Sequence, residues 1–272
     1  MTDQFIPADI SALIDVAQAA TGVHEIYGTP YVLVPERWDV KDLSAMLPRP
    51  LRKRGAARLT TREDFLEMLE REKTEGTVIF ADRARGIISA VVDFHSPTTP
   101  GNCDYRIEYA PRLDPEWEAW RDFSKEWHSQ TDLAQFLEDH IEAICSGGDD
   151  SGPSGADILK LARDLSVTRN VAFSSRVDVQ SNAVSIKYEE KDVSGSLRLH
   201  ESFFILVAIY EREEPVPLRV RFRYDVRDST LRVRTYIARA DDIQRRAFDA
   251  ICGEIDELSN APLMFGAYAK GG

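Results

Sequence analysis

GIISAVVDFHSPTTPGNCDYRIEYAP (Gly86–Pro111) and the stretch that follows it, RLDPEWEAWRDFSKEWHSQTDLAQFLEDHIEAI (Arg112–Ile144), decide the reading of this chain. GIISAVVDF and the preceding TVIFAD (Thr77–Asp82) are short apolar runs separated by RARG, the pattern of a β-hairpin. RIEYAP supplies a third strand. Asp114 followed by Pro115 is a helix start, because the carboxylate can cap orphan N–H groups and proline sits without cost at the first helical position. Trp117, Trp120 and Trp127, with Phe123 beside them, are expected near one face of that helix. A second helix is expected from Thr131, with Leu133, Phe136, Leu137, Ile141 and Ile144 as its apolar stripe.

Upstream, ADISALIDVAQAA spaces Ile10, Leu13, Ile14 and Ala17 as a short amphipathic helix. YVLVP (Tyr31–Pro35) is strand-like, and WDVKDLSAML is a short helix closed by Pro48 and Pro50. RPLRKRGAAR places Arg49, Arg52, Lys53, Arg54 and Arg58 close together, expected as an arm or loop. Thr61 and Asp64 then open a helix with Phe65, Leu66 and Leu69 on one face.

Downstream, SGGDDSGPSG (Ser146–Gly155) is a small, polar linker. After a short helix over ADILKLARDL the period changes to two. VAFSSRVDVQ, AVSIKYEEK, LRLHESFFILVAIYE, LRVRFRYDV and LRVRTYIA read as about five strands, the last two forming a hairpin over RDST. A closing helix carries Ile243, Ala247, Phe248, Ile251, Ile255 and Leu258. The fold class is α+β: a mixed N-terminal part with a hairpin and an aromatic helix, and a mainly antiparallel C-terminal sheet with a closing helix. The expected division is an acidic part over 1–145, a linker over 146–155, the antiparallel sheet with its helices over 156–260, and a tail over 261–272.

With 272 residues and 43% hydrophobic side chains the chain can bury a large core. The longest apolar run, Phe203–Tyr210, is eight residues, far short of the roughly 18 needed to span a bilayer. No membrane association is expected. The N-terminus lacks a basic-then-apolar leader, so secretion is not expected. Three well-separated cysteines, Cys103, Cys145 and Cys252, suit a reducing cytoplasm better than a disulfide framework or a zinc site.

Gly155–Gly272 carries 18 Lys+Arg and 18 Asp+Glu, so the whole net charge of −12 falls on Met1–Ser154. An acidic half joined to a neutral, arginine-rich half argues against a nucleic-acid coating protein. It suits head-to-tail self-association.

Catalytic motifs are missing. His24, His95, His128, His140 and His200 are scattered, with no pair at i,i+4, and no metal ligands are assigned. The glycine-rich linker has no Lys-Ser or Lys-Thr, and no Gly-x-Ser-x-Gly elbow occurs. Asp82, Asp93, Asp104 and Glu108 at strand ends could converge on magnesium for nuclease chemistry, but turn-forming carboxylates explain them more economically. No cofactor is expected. The tryptophans sit among Glu116, Glu118, Asp122 and Glu126, which would repel phosphates. Burial against a sheet or a neighbouring subunit fits them better than base stacking.

In LRVRFRYDV, Leu218, Val220, Phe222 and Tyr224 face one way and Arg219, Arg221 and Arg223 the other. If RDST sets the register, Arg234 falls on the arginine face near Arg223. Such a face needs an anionic partner. An acidic strand of the same fold (Glu189 and Glu190), the acidic half of another copy, or nucleic acid would each serve. The candidate interface or anion-binding residues are therefore the RPLRKRGAAR cations, the four arginines of this face, and Trp117, Trp120 and Trp127.

VVDFH (Val91–His95), RIEYAP, EWEAW (Glu116–Trp120) and SQTDLAQFLEDHI (Ser129–Ile141), in that order, resemble the YfdQ-like family of phage and prophage proteins, with Gln130, Phe136, Glu138 and Asp139 as matching positions. The order of the later elements is similar as well. The resemblance implies a phage-derived protein acting in a bacterial cytoplasm and supplies no catalytic residues. Members resemble genes found near phage recombination functions, which keeps a DNA-related role open. The function expected first is non-enzymatic self-assembly into a closed homo-oligomer, a ring or shell, that scaffolds or binds another macromolecule, a host protein among the possible partners. The alternatives are a DNA- or RNA-binding accessory factor and a magnesium-dependent nuclease.

Overall fold

The computed structural model describes residues 17, 23–26, 29–32, 48–49, 52–145, 153–167, 172–176, 183–190, 193–227 and 230–269. Apart from Ala17, which is helical, the helix expected around Ile10–Ala17 lies outside these residues. So do the one expected at WDVKDLSAML and most of the Ser146–Gly155 linker. The chain divides into two compact units, Met1–Lys53 and Arg54–Gly272. In the first, β1 (Val23–Ile26) and β2 (Thr29–Val32) pair as an antiparallel hairpin, with Tyr31 and Val32 of the expected strand in β2.

The second unit is α+β, built on two five-stranded sheets. One is mixed. Here β4 (Val78–Asp82) and β5 (Ile87–Val91) form the hairpin over RARG, with Asp82 opposite Ile87. Asp82 Oδ1 accepts from the N–H groups of Ala84 and Arg85, and Gly86 takes φ 63° to close the turn. β6 (Tyr105–Tyr109) extends the sheet antiparallel to β5.

Its two edges lie where the sequence suggested no strand. β3 (Gly55–Leu59) runs parallel to β6, so the last four residues of RPLRKRGAAR belong to an edge strand and not a loop. β15 (Leu263–Phe265), from the expected tail, runs parallel to β4. Both are short pieces whose side chains stay largely in solvent, and the apolar alternation that marks a strand is weak there.

The other sheet is wholly antiparallel, in the order β7 (His128–Ser129), β14 (Thr230–Ile237), β13 (Val216–Arg227), β12 (Ser202–Val207), β8 (Ile144–Cys145). It draws strands from both sides of the glycine-rich linker. LRLHESFFILVAIYE is not one strand: it breaks at Glu201 into β11 (Val193–His200) and β12, which belong to different sheets. β11, β10 (Ala183–Glu190) and β9 (Ala172–Arg176) make a separate three-stranded antiparallel sheet.

The helices begin where their capping chemistry places them. Thr61 caps α1 (Arg62–Glu72), its Oγ1 accepting from Asp64 N–H. Asp114 caps α2 (Pro115–Phe123) through Glu116 N–H. Ser129 and Asp132 form a reciprocal capping box on α3 (Gln130–Asp139). α4 spans Gly155–Val167 and α5 spans Ala240–Ser259.

One continuous core runs from Phe65 and Leu69 of α1, through Trp117 and Trp120 of α2, to Phe203 and Val220 of the antiparallel sheet. Trp120 packs 5.7 Å from Phe203 and edge-on to Phe136 at 4.8 Å, and each such buried aromatic contributes about 2–3 kcal/mol. In α5, Phe248, Ile251 and Ile255 are buried as expected, but Leu258 is 63% exposed because the helix runs past the core there.

Candidate functional site

The antiparallel sheet has one greasy face and one charged face. On β13, Val220 and Phe222 are buried while Arg219, Arg221 and Arg223 are exposed. On β14, Leu231, Val233, Thr235 and Ile237 are buried, leaving Arg232, Arg234 and Tyr236 on the opposite face. The period of two in a half-buried strand produces this segregation directly.

The register then brings the arginines together. Arg223 lies directly opposite Arg234, Arg221 opposite Tyr236, and Asp225 opposite Arg232. On the other side, β12 sets Ser202 opposite Arg221 and Phe204 opposite Arg219.

Local neutral contacts hold most of these guanidinium groups. Arg219 Nε donates to Ser202 Oγ at 2.9 Å, and Arg223 lies 4.4 Å from the centre of the Tyr236 ring. Arg234 Nε donates to the Ser124 carbonyl at 2.9 Å, and Arg232 donates to the Trp127 carbonyl at 3.4 Å. Hydroxyls, carbonyls and a ring orient an arginine without cancelling its charge. None of the five forms an ion pair among the described residues, and Asp225 is the one acid in register with them. Arg232 belongs to this site although the sequence reading passed over it; its place two residues before Arg234 in LRVRT is the signal.

The other candidate residues are placed differently. Arg49, Arg52 and Lys53 are exposed and belong to the first unit. Arg54 pairs with Asp104 at 3.7 Å and Arg58 with Glu108 at 3.2 Å, both across the β3–β6 edge, so neither joins the arginine face. Glu189 and Glu190 sit on β10, which hydrogen-bonds to β9 and β11 and not to β13.

Trp117 and Trp120 are fully buried in this chain's own core, which removes them as interface residues. Trp127 lies beyond α2, which ends at Phe123, and is half-buried. A helix carried through Trp127 would have put all three on one stripe; instead the chain turns after Ser124 to lay His128 and Ser129 against β14.

A second cluster surrounds the aromatic helix. Glu116 Oε1 accepts from Trp120 Nε1 at 2.9 Å and from His140 Nδ1 at 2.8 Å. Phe123 stacks on His128 at 3.7 Å and on Phe136 at 3.8 Å, which locks α2 and α3 together. The four acids weighed for magnesium are each used locally. Asp82 closes its turn, Asp93 accepts from the N–H groups of Asp104 and Tyr105, and Asp104 and Glu108 pair with arginines. Among the described residues no group of three His, Cys, Asp or Glu side chains could hold a metal ion.

The second unit is an α+β fold in which one face of the antiparallel sheet carries a row of arginines. The chain belongs to the family of uncharacterised conserved proteins DUF2303, whose profile matches residues 7–268. No curated protein and no solved structure matches the chain. No helix among the described residues is long and apolar enough to cross a membrane.

Proposed function

We propose that this protein is a non-enzymatic, phage- or prophage-type subunit that assembles with copies of itself into a closed homo-oligomer in the bacterial cytoplasm. The observation that carries the reading is the arginine face: five guanidinium groups in adjacent register without an ion pair among the described residues, on a chain with net charge −12. The chain also offers the complementary surface. Glu138, Asp139 and Glu142, at the end of α3 and just beyond it, are exposed and form no ion pair among the described residues. A contact between two different patches repeats head to tail, and closure into a ring or shell satisfies every copy.

Sedimentation velocity at low and high salt tests this. A discrete oligomer is expected, dissociating when Arg221 and Arg223 are both changed to glutamate and recovering when Glu138→Lys and Asp139→Lys are added. A strict monomer across micromolar concentrations sinks it.

A second reading rests on Tyr236 and Phe204, which are half-buried between the arginines of the same face. Rings among cations are the composition of a single-strand nucleic-acid platform, fitting an accessory factor of phage recombination or replication. A mobility shift that weakens steeply above about 50 mM salt supports it, and no shift at that salt removes it.

A further inference from the structure

A second site lies in a cavity of about 380 Å³ lined by the β4–β5 turn, the Pro111–Leu113 segment, Tyr210 and the first turns of α5. That volume is in the range of small-ligand pockets. Pro111, Leu113 and Phe248 give it an apolar lining.

Its polar groups are nearly all donors. Arg85 stands on the exposed turn and makes no ion pair among the described residues. Arg245 is tied only to Asp242 at 2.9 Å, an exposed pair three residues apart on one helix and worth roughly 0–1 kcal/mol, so a ligand can take it over. Tyr210 is only 5% exposed. Burial pushes its phenol up, and a hydrogen bond from Gln244 acts in the opposite sense. The Tyr210 hydroxyl stands on the cavity wall as an O–H donor.

Arg83 closes the wall. It is held by a two-pronged pair with Asp249 (2.7 and 3.2 Å) and lies 3.6 Å over the Phe265 ring. One carboxylate, Asp241, lines the α5 side.

We infer that this cavity binds a small molecule carrying one carboxylate or phosphate on a flat, apolar body: the anion on Arg85, Arg245 and the Tyr210 hydroxyl, the body against Leu113 and Phe248. Nothing in the self-assembly reading requires this site, and Arg85 stands on a turn of the mixed sheet, not on the sheet that carries the arginine face.

Calorimetric titration of the full chain with AMP, benzoate, adenosine and inorganic phosphate at millimolar concentration tests it. AMP or benzoate is expected to bind, the preference between them separating a phosphate from a carboxylate ligand. Arg85→Ala, a surface change that leaves the fold intact, should weaken binding at least about tenfold, and Tyr210→Phe should weaken it without altering the circular dichroism. Failure of both AMP and benzoate to bind overturns the inference, as does AMP or benzoate binding that ignores Arg85→Ala. Adenosine binding as well as AMP removes the anion from the argument. Inorganic phosphate binding as well as AMP removes the flat body.

Discussion

Arg223 and Arg234 face each other across the β13–β14 ladder, two like charges in directly opposed positions with no acid between them. Opposed like charges in a sheet cost roughly 0.2–1 kcal/mol. Replacing Arg223 with threonine, a good strand former, should therefore stabilise the isolated subunit by up to about 1 kcal/mol while weakening its association. Urea denaturation at low protein concentration, set beside sedimentation at high concentration, reads both effects. A variant that loses stability would show that the Arg223–Tyr236 contact outweighs the repulsion.

Among the described glycines, Gly101 leaves the least room for a side chain. A Cβ there would overlap the carbonyl oxygens of Asp93 and Phe94, which are backbone and cannot swing aside. The same loop is tied by Gly101 N–H donating to His95 Nδ1 at 3.0 Å and by Cys103 N–H donating to the Asp93 carbonyl at 3.1 Å. Gly101→Ala should cost about 3 kcal/mol or prevent folding. A melting temperature equal to that of the wild type would refute the close approach.

Arg62 of α1 bridges Glu213 (3.2 Å) and Glu254, joining the loop after β12 to α5. Burial raises the Glu213 carboxyl above its ordinary value of 4.5, and the opposing pull of Arg62 does not cancel it. The folded state therefore holds that proton more tightly than the unfolded one. This group's contribution becomes unfavourable as pH rises through the window just above 4.5. Glu213→Gln should flatten the fall in melting temperature across that window, with Glu254 keeping Arg62 paired. A steeper fall in the variant would reverse the sign assigned here.

The three cysteines should differ in reactivity. Cys103 and Cys252 are buried, and burial pushes the Cys252 thiol up to about 12. Cys145 is partly exposed, with its thiol raised less by burial. In native protein at neutral pH a disulfide reagent should titrate Cys145 first, the other two responding only after denaturant is added. Rapid labelling of Cys252 would contradict its placement against the core.

Much of this was legible before any coordinates. RARG sits between two apolar runs, and Asp114 precedes Pro115; both signals act over a few residues, and the structure keeps both. RDST did the same for the arginine face, because a hairpin register follows from its turn and carries Arg234 to Arg223. The edge strands Gly55–Leu59 and Leu263–Phe265 were not legible, since their pairing depends on partners roughly 50 and 180 residues away in the chain. Trp127 was misplaced for a similar reason: helical periodicity continues past Ser124, and only the pairing of His128 with Val233 shows that the helix has ended.

Local chemistry alone determined the fold class, the helix starts, the hairpins and the side of the sheet on which the arginines stand. Tertiary packing decided which strands are neighbours, sealed Trp117 and Trp120 inside, split the Leu197–Tyr210 run between two sheets, and brought Arg85, Arg245 and Tyr210 around one cavity. The physical reason is range. Capping, turn geometry and side-chain alternation act within a few residues, whereas burial and strand pairing are settled between segments whose distance along the chain carries no record of their contact.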